Sequence, residues 1–152
     1  MKLSKDNSEI QRLLSSGKIA AGGFLGNDYR TFIEIIEADS AELARLNLDS
    51  LRIAQEMMNI TEKAQGGLGN WVKINEKLMA KVDEAKGFLI CPWPHKSEKF
   101  RKRVTTLRDV KSGDEIKWSD LSIHLISEHC FFQGKGAVFR IEPAKIAKML
   151  FS

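Results

Sequence analysis

The chain has 152 residues, 43% hydrophobic and 29% charged, with three prolines and a formal net charge of +4. That size suits one domain, 1–152, able to bury about two-thirds of its unfolded surface, so neither a disulfide framework nor long disordered linkers are expected. No apolar run is long enough to cross a bilayer, residues 1–14 lack the continuous apolar core of a signal peptide, and Cys91 and Cys130 are expected as reduced thiols, which together point to a cytoplasmic chain.

Residues 8–16 carry Ile10, Leu13 and Leu14 at helical spacing and predict a short helix stopped at Gly17. A glycine-rich stretch follows, from Ala20 to Asp28. It matches neither phosphate-binding glycine pattern and no strand precedes it, so tight turning explains the glycines better than a phosphate cradle. Phe32, Ile35 and Ile36 form one helical stripe, and Asp39 with Glu42 is expected to cap a further helix carrying Leu43 and Leu46. Asp49 or Ser50 then caps a helix bearing Leu51, Ala54, Met57, Met58 and Ala64, which ends at Gly66 and Gly67.

After Gly69 the hydrophobic period changes from 3.6 to 2. Strands are expected at 71–74, 78–82 and 88–91, the last halted by Pro92 and Pro94. A hairpin is expected from 103–110 and 115–118 around Lys111-Ser112-Gly113-Asp114. Next comes the best-marked helix, 119–132, with Ser119 as N-cap, Trp118 and Ile123 as a hydrophobic staple, and Gly134 as stop. Leu121, His124, Leu125 and Glu128 fall on one side of it and Ile123, Ile126 and Cys130 on the other, so burial on both sides is expected. Another strand, 137–141, and a final helix with Pro143 at its first position complete the chain. The expected fold is α+β: an N-terminal helical layer (1–67) on an antiparallel sheet of about five strands (70–152), with a buried helix at 119–132.

All of the excess charge sits at 96–117, which holds eight basic and four acidic residues. Lys99, Arg101, Lys102, Arg103 and Arg108 are the candidate surface for nucleic acid or an acidic protein, weighed against a merely solvated face. One constellation carries chemistry. Cys91-Pro-Trp-Pro-His95 ends a strand and His124-x4-His129 lies on the helix after a hairpin, which is the order of parts in a zinc finger. A thiolate and three imidazoles suit Zn²⁺, so Cys91, His95, His124 and His129 are the candidate ligands. Against this stand a 28-residue gap between His95 and His124, and the expectation that positions i and i+5 on a regular helix point about 140° apart. The alternative keeps His124 and His129 as core residues and Cys91 as a small buried apolar group.

The same atoms allow a small thiol- or metal-dependent enzyme, with Cys91 as nucleophile, His124 or His129 as base, and Asp120 or Glu128 orienting the imidazole. No established catalytic motif supports it, so no catalytic residue is assigned. A metal-free protein–protein interaction domain is the third reading.

The stretches Gly22–Gly26, Cys91–Pro94, Trp118–Ile126, Phe131–Gly136 and Phe139–Pro143 resemble a family of bacterial proteins usually labelled only as cytosolic or hypothetical proteins. The resemblance spans the chain from about residue 20 onward. It implies a bacterial cytosolic domain and carries no activity, so no residue role follows from it. The reading of the sequence is a cytosolic binding module, held by zinc and presenting a basic 96–117 hairpin.

Overall fold

The computed structural model describes residues 3–15, 23–94 and 98–152. Helix α1 (Lys5–Ser15) buries Ile10 and Leu14; the expected stop at Gly17 lies outside the described residues. Helix α2 (Phe32–Arg45) starts at a capping box in which Thr31 and Glu34 satisfy each other's backbone amides. The expected break at Asp39 does not occur. Asp39 sits buried inside α2, and its carboxylate accepts from Arg140 at 2.5 and 3.0 Å, so it does not cap a backbone amide. Asn47 ends the helix in the left-handed conformation at φ 57°, which lets the Leu48 amide reach the Leu43 carbonyl at 3.0 Å. Helix α3 (Ser50–Gln65) is capped by the Asp49 carboxylate, which accepts from the Arg52 amide.

The sheet is a four-stranded antiparallel meander, β1 (Val72–Lys73), β2 (Leu78–Ile90), β3 (Lys99–Asp109) and β4 (Glu115–Ser119), in spatial order 1-2-3-4. Two sequence expectations change here. The strands expected at 78–82 and 88–91 are one long strand, because both halves pair with β3 across a register shift between Ala85 and Phe88. The strand expected at 137–141 is a pair of turns, closed by Ala137 N–H to Gly134 O and Arg140 N–H to Ala137 O. The β3–β4 turn is as read: Asp109 accepts from the Lys111 and Ser112 amides, and Gly113 takes φ 79°.

One sheet face is covered. Leu78, Ala80, Val82, Thr105, Leu107, Ile116 and Trp118 are buried on it beneath α3 and α4 (Asp120–His129). Trp118 has to satisfy its indole N–H there and donates to Thr61 at 2.9 Å, while Thr61 also bonds Thr105 at 2.8 Å. This buried chain of polar groups sets α3 on the sheet.

Helix α4 begins as expected, with Ser119 capping the Ser122 amide. It ends three residues early. Cys130 turns left-handed at φ 53°, and the Ile126 and Leu125 carbonyls take the Cys130 and Phe131 amides. Both sides of α4 are buried: Ile123 and Ile126 join a core with α3, the sheet and α5 (Pro143–Phe151), whereas Leu121 and Leu125 join a second core with Ile10, Leu14, Phe24, Phe32, Ile35 and Phe131.

The two glycine-rich stretches close on each other. A Cβ on Gly134 would lie 2.3 Å from the Leu25 carbonyl oxygen, and one on Gly26 would lie 2.3 Å from the Ala137 nitrogen. Amides that could have cradled a phosphate are used across this contact, Gly134 N–H to Phe24 O and Asn27 N–H to Lys135 O, both 2.9 Å.

Candidate metal centre

Cys91 directly follows the last residue of β2, where Pro92 removes the amide that would continue the ladder. His124 is mid-helix in α4 and His129 is its last residue. Cys91 and His124 are buried and His129 is half-buried. Each offers one ligand atom, and the three atoms lie within 4.8 Å of one another. Cys91 Sγ is 3.6 Å from His129 Nε2. A tetrahedral ion with Zn–S and Zn–N bonds of ordinary length spaces such atoms by about 3.6 Å. The Cys91–His129 pair already has that spacing, and the three-residue cluster could hold a metal ion.

The expectation that His124 and His129 point away from each other does not hold: although α4 is helical through His129, one ring nitrogen of each lies within 4.8 Å of the other and of Cys91 Sγ. The two imidazoles end 5.2 Å apart between ring centroids. The long gap in sequence is accounted for as well, because the whole β3–β4 hairpin runs between Cys91 and His124. His95, the fourth expected ligand, lies outside the described residues.

Aromatic rings wall the cluster. Trp93 stacks on His129 at 4.1 Å and 11°, and Phe100 lies 4.6 Å from His124. Phe32 and Phe131 pack edge-on against Trp93 at 5.7 and 5.6 Å. The sequence reading did not include these walls; an aromatic within two residues of Cys91 was the available signal. Burial pushes the Cys91 thiol pKa above its ordinary value, because this environment disfavours an uncompensated thiolate. A bound cation supplies that compensation.

The Asp120 carboxylate is engaged with an arginine. Asp120 is the first residue of α4, one turn before His124, and accepts from Arg103 Nε at 3.0 and 3.1 Å. Glu128 is exposed. Arg103 is thus removed from the expected basic surface: it is 4% exposed and also reaches Glu62 and Gln65 on α3. The remaining cations stay outside. Lys99 is exposed with its Nζ 5.9 Å from the Phe88 ring, Arg101 forms a two-pronged pair with Glu84 at 2.6 and 2.8 Å, and Lys102 is exposed. Arg108 is half-buried against Trp71 at 4.3 Å and paired with Glu115. Lys96 lies outside the described residues.

No protein-family model matches the chain, and neither a curated protein nor a solved structure does. Among the described residues no helix is long and apolar enough to cross a membrane.

Proposed function

We propose that this chain is a zinc-held cytosolic binding module, in which Cys91, His124 and His129 bind Zn²⁺ as a structural clamp between the end of β2 and α4. The observation that carries the reading is the 3.6 Å approach of Cys91 Sγ to His129 Nε2 within a three-residue cluster whose ligand atoms span at most 4.8 Å. One thiolate and two imidazoles favour zinc over the hard cations, which take oxygen ligands. Burial and aromatic walls favour a structural ion over one that turns over substrate. The partner face is the exposed group Lys99, Arg101 and Lys102 beside the clamp, with nucleic acid or an acidic protein as the class of partner. Protein purified without added metal is expected to carry about one zinc per chain. Cobalt replacement should add a thiolate-to-metal charge-transfer band that Cys91→Ser abolishes. Metal-free protein that takes up neither ion at micromolar levels would falsify the clamp.

The same 3.6 Å contact also favours a thiol–imidazole pair and hence a thiol enzyme. Burial of the thiol, with its raised pKa, makes this the weaker reading, because catalytic thiols sit in exposed, electropositive surroundings. Rapid alkylation of Cys91 in folded, zinc-free protein at neutral pH would reverse the order.

A further inference from the structure

We propose that the metal site is the latch of a hinged arm, so that zinc occupancy decides whether the outer half of the β2–β3 hairpin is docked. This rests on the zinc reading above. Strand β1 flanks β2 only at Met79 and Ala80, and β4 flanks β3 only from Val104 to Arg108. Beyond those positions β2 and β3 continue as a two-stranded ribbon, with Asp83 to Phe88, Arg101 and Lys102 exposed. An isolated two-stranded ribbon is marginal in water and needs a further attachment.

The arm has a place to bend partway along its length. The register shifts between Ala85 and Phe88, and Gly87 within that bulge takes φ 101°, a conformation other residues rarely adopt. Space around Gly87 is open, since a Cβ there would meet only the Lys102 side chain, at 3.8 Å. The attachment is at the far end. Leu89, Phe100 and Trp93 are only partly buried against the second core, and Cys91 enters the metal cluster. An ion would convert the Cys91–His129 contact into bonds joining this end to α4. Without it, the packing of Cys91 and three half-buried apolar side chains holds the far end of the arm and Arg103 ties its base to Asp120 and Glu62, while the inner sheet keeps its own core under α3. Zinc supply thereby controls how the cations Lys99, Arg101 and Lys102 are presented to a partner.

The test is amide hydrogen exchange on the full chain, zinc-loaded and chelated, with bound metal counted in each sample. Amides at 84–90 and 99–102 should exchange at least about tenfold faster after zinc removal, while those of 53–61 and 105–107 change less than about twofold. In Cys91→Ser, added zinc should leave the arm's exchange unaltered. A uniform acceleration along the chain, including outright unfolding on chelation, makes the ion a support of the whole fold and overturns the latch. Loss of one zinc with no change in the arm overturns the latch and leaves the clamp standing. Absence of zinc binding removes both.

Discussion

Replacing Cys91 by Ser separates coordination from packing. A ligand held at a free concentration one hundred times its dissociation constant stabilises the native state by about 2.7 kcal/mol. For a domain of this size each kcal/mol moves Tm by about 2–4 °C, so zinc should raise the wild-type Tm by roughly 5–11 °C. The Cys91 Sγ to His129 Nε2 separation of 3.6 Å already matches a tetrahedral ion, so that pair needs no rearrangement to bind. A serine hydroxyl does not ionise as a thiol does, so the zinc-induced increment should fall below about 2 °C at the same free zinc. Cys91 is only 5% exposed, so the substitution also lowers stability without metal, by about 1–2 kcal/mol for a buried hydroxyl. Thermal melts of both proteins at buffered zinc and in chelator give four Tm values, and the difference of differences isolates coordination from that packing loss. An equal zinc increment in the two proteins would show that Cys91 is not a ligand.

Four further outcomes follow from the geometry. Gly134→Ala places a Cβ 2.3 Å from the Leu25 carbonyl oxygen, with backbone on both sides, and should destabilise by more than about 3 kcal/mol in urea unfolding; a loss under 1 kcal/mol would mean the two loops separate freely. Arg103→Ala strands the buried Asp120 carboxylate and should cost about 3–5 kcal/mol, with much of it recovered in the Arg103→Met, Asp120→Leu double variant. Arg30, aided by the Lys135 amide, holds the Asp28 carboxyl well below its usual range. Because the folded-state pKa is depressed, this contribution is complete above about pH 4 and is lost as pH falls below it, at up to about 1.4 kcal/mol per unit; Asp28→Asn should therefore differ most from wild type at neutral pH and converge on it in acid. Finally, with Arg103 buried and Arg108 held against Trp71, binding to single-stranded polyanions should rest on Lys99, Arg101 and Lys102 and show a log–log salt slope near −2, about 0.7 per contact; a slope beyond −5 would require a larger cationic surface than these three.

Much of the scaffold was legible in the amino-acid order, and the legible parts are local. Ser119 caps α4 through a residue three positions on, Asp49 caps α3 the same way, Pro143 opens α5, and the Asp109–Gly113 turn closes on itself. The period of α4 predicted burial on both sides, and both sides are buried because the helix lies between two cores. Strand β2 was misread as two because Gly87 and its bulge interrupt the alternation, and only pairing with β3 shows that the strand continues.

The site divides along the same line. Residue types alone marked Cys91, His124 and His129 as ligand chemistry, since few other side chains bind a borderline-soft cation. Their meeting was a tertiary decision: Cys91 and His129 are 38 residues apart, and the i, i+5 spacing of the two histidines gave no sign that their rings would come within 5.2 Å. Burial of charge was equally nonlocal. Arg103 looked like surface until Asp120 and Glu62, 17 and 41 residues away, drew it inward, and Asp39 looked like a helix cap until Arg140, 101 residues on, claimed its carboxylate. Caps and periods report what a residue does with its sequence neighbours, whereas a buried ion pair or a metal cluster depends on partners that only the closed chain brings within reach.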